Sequence, residues 1–240
     1  MSYLKIAGVV VLVIVLLLAG ALAWIRFGPV RRAEPVQAGT NTSRSLPEPD
    51  RTDGMALHAA LEARRSGRDY DDTPLSLDEV GQILWAAQGI TDPRGFRTAP
   101  SAGALFPLEL YLVAGNVEGL EAGVYHYDPS AHGLTRMAEG DIRSSLAAAS
   151  LGQSSVADGA AVFVMAAEYE RTTRRYGSRG EMYVHIEIGH AGQNVYLQAA
   201  SLGLSTVAIG AFDPDRIAEL LGLPEAFVPL YVMPVGHPAD

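Results

Sequence analysis

APSAGALFPLELYLVA, residues 99–114, changes character at its middle. The first half is small residues interleaved with Pro and Gly. The second half, from Glu109, is a β-rich run, ELYLVA. A backbone without bulky side chains permits close approach to a planar ligand. The alternative is an ordinary connecting loop running from Thr91 to Phe106. Everything else in the fold is placed relative to this loop and strand.

Downstream, residues 123–127 and 134–137 read as short strands around the turn signal Asp128-Pro129. Residues 141–149 suit a short helix. Residues 160–167, AAVFVMAA, are apolar without alternation, as in a strand covered on both faces. Residues 182–202 form the longest helical pattern, and 207–210 read as a strand. Asp213-Pro214 opens a further helix, with Asp as cap and Pro in the first turn, closing at Leu221-Gly222. The last strand, 227–235, contains Pro229 and Pro234, which places it at an edge or bends it. Upstream, residues 55–65 suit a helix capped by Asp53. Ser76 and Glu79 form a capping box for a second helix ending at Gln88-Gly89. Strands and helices do not alternate strictly, so the class is α+β.

The chain has 240 residues, 18 Lys+Arg against 27 Asp+Glu, a net charge of −9 and no Cys. The acidic balance argues against nucleic acid. The lack of Cys excludes disulfides, iron–sulfur clusters and thiol catalysis. Residues 6–25 carry no charge over twenty positions. As a helix they rise ~30 Å, the thickness of a bilayer core. Residues 1–27 are therefore expected to be a transmembrane anchor or a cleaved signal segment. Residues 28–54 are expected to be a flexible linker, and 55–240 the globular domain. Arg26, Arg31 and Arg32 outnumber Lys5 as flanking cations, which favours a cytoplasmic domain. Cleavage near Ala21-Leu22-Ala23 gives the alternative, an exported protein.

Arg64, Arg65 and Arg68, with Ser66 and Gly67 between them, sit where a helix passes into a loop. Guanidiniums and a hydroxyl at that spacing fork onto phosphate oxygens. The competing reading is a solvated helix end whose cations suit the C-terminal dipole. On the long helix Tyr183, Glu187, His190, Asn194 and Ser201 fall on one stripe, facing a subunit interface or a ligand. Glu187-x-x-His190 is half of a di-iron carboxylate motif, but no second Glu-x-x-His exists, so no metal is expected. Motifs for a serine hydrolase elbow, a Rossmann dinucleotide site and a P-loop are absent.

The order of the segments carries a resemblance. RRSGR (64–68) is followed by the Ser76–Gln88 helix and by residues 99–113. Then come Glu187-x-Gly-His-x-x-Gln-Asn-x-Tyr-Leu197 and Gly203-Leu-x-Thr-Val-Ala-Ile-Gly-Ala-Phe212. The set resembles the nitroreductase-like flavoproteins, and within them the SagB/ThcOx-type dehydrogenases, over nearly the whole of residues 57–238. The resemblance implies an FMN-binding α+β fold, a central mixed or antiparallel sheet flanked by helices, that forms a homodimer with FMN at the interface. It further implies that Arg64, Arg65 and Ser66 hold the phosphate and ribityl chain. Arg68 would lie at the N1/O2 edge of the ring. Pro100, Ser101 and Gly103 would reach the flavin from the partner chain, and Gly210 and Ala211 would present backbone N–H near N5 and O4. No catalytic side chain is assigned.

The implied activity is FMN-dependent oxidoreduction between a donor such as NAD(P)H and a small acceptor. The alternatives are azoline dehydrogenation on a modified peptide, or a non-catalytic flavin-binding membrane scaffold. Azoline-oxidising members carry a Lys-Tyr pair near the start of the long helix, where this chain has Met182-Tyr183. Many members also end in a basic segment that touches the phosphate. Here that contact is missing or falls to His237.

Overall fold

The computed structural model describes residues 42–239. Its strands are β1 (Ser43–Ser45), β2 (Leu108–Ala114), β3 (Gly123–Asp128), β4 (Gly133–Glu139), β5 (Ala161–Glu168), β6 (Ser205–Thr206) and β7 (Phe227–Gly236). The helices are α1 (Leu57–Ala63), α2 (Leu77–Gln88), α3 (Arg143–Ala149), α4 (Ser154–Asp158), α5 (Glu170–Tyr176), α6 (Arg179–Ser201) and α7 (Pro214–Leu221). The seven strands form one sheet in the order β1-β4-β3-β2-β5-β7-β6. All its ladders are antiparallel.

The two-residue period of a strand sends alternate side chains to opposite faces. Leu108, Leu110 and Leu112 of β2, Phe163 and Met165 of β5 and Met233 of β7 join one core with Ile83 and Leu84 of α2 and Val184, Ile188 and Val195 of α6. Residues 161–167 are all at most 2% exposed, as the unalternating run requires of a strand covered on both sides. Helix α2 starts where the capping box predicts. Glu79 N–H donates to Ser76 Oγ (3.2 Å), and Ser76 N–H donates to the Glu79 carboxylate (2.7 Å). Asp213 caps α7 by accepting from Arg216 N–H (3.1 Å), and Gly222 closes that helix in the left-handed region.

Several boundaries differ from the sequence reading. Helix α1 spans Leu57–Ala63 and has no side-chain cap. Asp50, not Asp53, organises its approach, accepting from the N–H groups of Thr52 (2.8 Å) and Asp53 (3.1 Å). Within the stretch expected to be a linker, Ser43–Ser45 pairs with β4 and Leu46 is buried. The strand expected at 207–210 is instead β6, Ser205–Thr206, followed by a single bridge from Ile209 to Val232. The ladder breaks because Ala208 N–H donates to the Tyr196 hydroxyl (2.8 Å), not to a neighbouring strand. Strand β7 is internal, between β5 and β6, and not at the edge. It is bent by a register shift opposite Met165/Ala166, and β6 pairs only with Val235 and Gly236, so Pro229 and Pro234 lie outside its ladder.

The apolar stretch 6–25 lies outside the described residues. Among the described residues no helix is long and apolar enough to cross a membrane.

Replacing Ser76 with Ala removes the reciprocal cap of α2. The expected loss is about 1 kcal/mol of folding stability, read as a lower urea midpoint with an unchanged slope.

Candidate functional site

The Arg-rich turn begins where α1 stops. Arg64 leaves the helix with φ −56° and ψ 133°, an extended conformation. The chain then docks on the edge of the sheet: Ser66 forms a parallel bridge with Thr206, and Gly67 N–H donates to Thr206 C=O (2.9 Å). The approach is so close that a Cβ on Gly67 would stand 1.8 Å from Ser205 Oγ. Any side chain there would force Ser205 aside, which glycine avoids. Behind the turn, the Tyr70 hydroxyl reaches the carbonyls of Gly67 (3.1 Å) and Pro234 (3.2 Å). Burial raises the pKa of this phenol, so it stays a neutral donor.

Tyr196 of α6 is the node of the site. Its hydroxyl accepts from Ala208 N–H (2.8 Å) and lies 2.9 Å from Ser66 Oγ, while the Arg64 guanidinium sits 5.3 Å from its ring centroid. A cavity of about 230 Å³ opens beside it, lined by Arg64, Arg65, Tyr196, Gly203, Ser205 and Thr206, among others. Thr206 is 2% exposed and its hydroxyl has no hydrogen-bond partner. A buried hydroxyl without a partner costs about 1–3 kcal/mol. It lies beside a cationic cavity that Thr206 helps to line. The residues therefore fit a phosphate: guanidiniums, hydroxyls and no carboxylate in the lining.

The four predicted residues of the turn behave differently. Arg64 and Ser66 are committed to the Tyr196 node. Arg65 donates to the carbonyls of Glu62 (2.7 Å) and Arg64 (2.8 Å), which makes it in part the helix-end cation of the competing reading. Arg68 is exposed. His237 does not stand in for a basic C-terminal segment. Its ring faces Glu79 at 3.7 Å, and it is Pro238 that lines the cavity.

Gly210 and Ala211 follow Ile209, whose N–H and C=O both pair with Val232 (2.9 and 3.0 Å). Both are exposed, and a Cβ on Gly210 would meet nothing within 4 Å, so the backbone there faces open space. The Ala211 carbonyl is held by Gln153 Nε2 (3.0 Å).

The loop carrying Pro100, Ser101 and Gly103 is strained. Gly103, Ala104 and Phe106 have φ of 63°, 52° and 45°. For the two non-glycine residues that conformation costs about 1–2 kcal/mol each, so side chains from elsewhere must hold it. Ser101 Oγ accepts from Phe106 N–H (2.9 Å), and Arg171 Nη1 donates to Phe106 C=O (3.1 Å). The Arg97 guanidinium lies 4.5 Å from the Phe106 ring centroid and donates to Gln88 (2.8 Å), and Asn194 Nδ2 donates to Thr98 C=O (3.3 Å). Glu187 faces this loop from α6, 2% exposed. Burial pushes its carboxyl up to about 7, against the opposing pull of the Ser101 hydroxyl and the Arg97 charge.

The polar stripe on α6 is therefore split by the fold. Glu187 and Asn194 turn to the strained loop, Ser201 accepts from Met55 N–H (2.8 Å), and His190 is exposed. The lining of the Arg cavity contains none of Pro100, Ser101 and Gly103. Along α6 their anchor points, Glu187 and Tyr196, are nine residues apart, ~13–14 Å of helix rise. Thr206 and Tyr196 belong to the ordered motifs without a role predicted for either; their signal is position in the motif, not residue type.

An α+β domain with a cationic, hydroxyl-lined cavity at a sheet edge is the framework on which the comparisons bear. Residues 61–237 match the family model described as the Nitroreductase family, and the chain belongs to that family. It is 51% identical to the nitroreductase-type protein MJ1384 of Methanocaldococcus jannaschii over 183 residues, 76% of this chain and 91% of that one. The microcin B17-processing protein McbC of Escherichia coli is 29% identical over 177 residues, 71% of this chain and 65% of McbC. The crystal structure of a nitroreductase-type protein from Ralstonia eutropha JMP134 superposes with a TM-score of 0.76 at 33% identity, covering 88% of this chain and 98% of that one.

Replacing Tyr196 with Phe strands the Ala208 N–H and frees Ser66. The expected cost is about 1–3 kcal/mol, measured by urea unfolding, with faster amide exchange at Ala208.

Proposed function

We propose that this nitroreductase-family oxidoreductase works with FMN. The observation that carries the reading is a cavity lined by Arg64 and Arg65 with no carboxylate, beside the enclosed, unpartnered Thr206 hydroxyl. In this reading Arg64, Arg65, Ser66 and Thr206 bind the phosphate end, and Arg68 favours negative charge at the pyrimidine edge of the ring. Gly210 and Ala211 leave the ring's approach open and offer backbone N–H to it. When bound, FMN supplies hydride acceptance and delivery between a donor such as NAD(P)H and a small acceptor, and the protein supplies orientation and electrostatics.

The reading includes a homodimer. One chain holds the Arg cavity and the Pro100–Ser101 loop at separate points of α6, and large apolar side chains stand exposed on both helices: Leu57 (66%) and Leu61 (51%) on α1, Met182 (47%) and Ile186 (48%) on α6. Pairing two chains covers these residues and lets the loop of one chain close the flavin site of the other.

The likeness to McbC favours a second reading, peptide azoline dehydrogenation. Against it stands Met182 at the position that the resemblance assigns to Lys. Tyr183 is present, packed edge-on against Tyr176 at 5.1 Å.

The purified protein is expected to be yellow, with one FMN per chain, and to bleach when NADH or NADPH is added anaerobically. Colourless protein that takes up no FMN on reconstitution contradicts the reading. Thr206→Val keeps the shape and removes the orphan donor. FMN affinity should fall about tenfold or more, as for loss of a bond to a charged group, while the stability of the FMN-free protein is unchanged or raised. Arg68→Ala should lower the flavin reduction potential in a spectroelectrochemical titration.

Sedimentation at micromolar concentration should give a dimer. A monomer that retains FMN contradicts the two-chain site.

A further inference from the structure

We propose that Arg175, Tyr176, Arg179 and Tyr183 form a subsite that selects the acceptor: a small planar molecule whose ring carries a carboxylate. The proposal rests on the FMN reading given above and names the substrate class of that site. Its own basis is a connected set of contacts where α5 passes into α6. The Arg175 guanidinium lies 5.5 Å from the Tyr176 ring centroid, and the Arg179 guanidinium 5.7 Å from that of Tyr183. The two rings meet edge to face at 5.1 Å. The set touches the loop that the FMN reading sends to the flavin. A Cβ on Gly103 would stand 2.7 Å from the Tyr176 hydroxyl and 3.1 Å from Arg175 Nη1. Glycine at that position, with φ 63°, lets the end of α5 close on the loop. In the FMN reading, a ligand stacked on the flavin beside this loop meets a face made of cations and aromatic rings.

The charges of the two helices separate into paired and free. Arg171 is committed to Glu109 (2.7 Å) and Glu168 (2.6 Å), and Arg174 to Glu170 (2.6 Å). Arg175 and Arg179 are exposed and, among the described residues, make neither an ion pair nor a hydrogen bond. Of the exposed carboxylates on α5 and α6, Glu170 is held by Arg174, which leaves Glu181 against two free guanidiniums. A chain of net charge −9 repels anions on average, so a local excess of positive charge beside the loop is where an anionic ligand gains most. A guanidinium lying over a ring keeps its fork of N–H donors for a carboxylate. Two such groups four residues apart suit one anionic group on a small ring. The phosphates of a dinucleotide donor are spread along its length, so the assignment is to the acceptor.

Calorimetry on the full-length protein with FMN bound tests the proposal. The probes are 4-nitrobenzoate and its neutral analogue 4-nitrobenzamide, with the flavin absorption spectrum read over the same titration. Wild type should prefer the anion by about three- to tenfold at low salt, between the strength of an exposed ion pair and that of a bond to a charged group. Binding should perturb the flavin spectrum, and the preference should shrink as salt is raised. Arg175→Gln and Arg179→Gln should each remove most of the preference and leave 4-nitrobenzamide binding unchanged. Arg174→Gln removes the same charge from a paired arginine and should leave the preference intact. Equal losses in all three variants point to a diffuse field and overturn the proposal. So does a wild type without preference, or binding that leaves the flavin spectrum unmoved, which places the anion on the surface away from the ring. Weaker NADPH binding in Arg175→Gln with 4-nitrobenzoate binding unchanged gives the patch to the donor and overturns it as well. If the wild-type protein takes up no FMN, it is the flavin reading that fails, and calorimetry on the flavin-free protein then judges the arginines. A preference for 4-nitrobenzoate that Arg175→Gln abolishes keeps the anion subsite, and no preference removes it.

Discussion

Helix α6 must bury an apolar stripe against the sheet while carrying polar side chains into the same interior, and that constraint organises the molecule. Val184, Ile188, Ala191, Val195 and Ala199 are at most 5% exposed. A helix covered this way leaves its polar residues two choices, solvent or a specific partner. Three of them take partners that lie on other segments: Asn194 at Thr98, Tyr196 at Ser66 and Ala208, and Ser201 at Met55. Each partner lies outside the named helices and strands. The helix is the rigid element from which the candidate flavin site is hung.

Electrostatics completes the same arrangement from the other side of the loop. Arg171 joins Glu109 of β2 (2.7 Å) and Glu168 of β5 (2.6 Å) and donates to Phe106 C=O (3.1 Å). Burial works against ionising Glu109, but the bonds from His126 and Arg171 outweigh it and hold its pKa below the ordinary value. The ion pairs of this cluster are structural: they tie a strained backbone to the sheet at its rim. The Arg cavity is the opposite case, with cations and a hydroxyl left uncompensated by any carboxylate in its lining. That asymmetry, paired charge where the backbone needs support and unpaired charge where a ligand is expected, separates scaffold from site.

Family membership fixes less than the site does. The relatives of this chain include one named for nitroreduction and one named for peptide processing, so the chemistry lies in residues placed on a shared framework. Met182, at the position that the resemblance assigns to Lys, has no proton to transfer.

Much of this was legible in the sequence because local physics sufficed. The caps of α2 and α7, the unalternating run of β5 and the long helix each report their own conformation, the lack of strict strand–helix alternation marks the α+β class, and the Arg cluster marks the turn at residues 64–68. What the sequence did not carry was decided by contacts between distant segments. The strand read at 207–210 lost Ala208 to a phenol twelve residues away. Ser43–Ser45 joined the sheet because β4 had an open edge, not because of its own composition. The polar stripe on α6 was visible as a stripe. Which of its members face solvent, loop or turn depends on the elements packed around it, and so does the difference between an exposed His190 and a Glu187 whose pKa burial raises. Periodicity fixes which side chains share a face, whereas only tertiary packing determines what that face meets and what burial does to its charges.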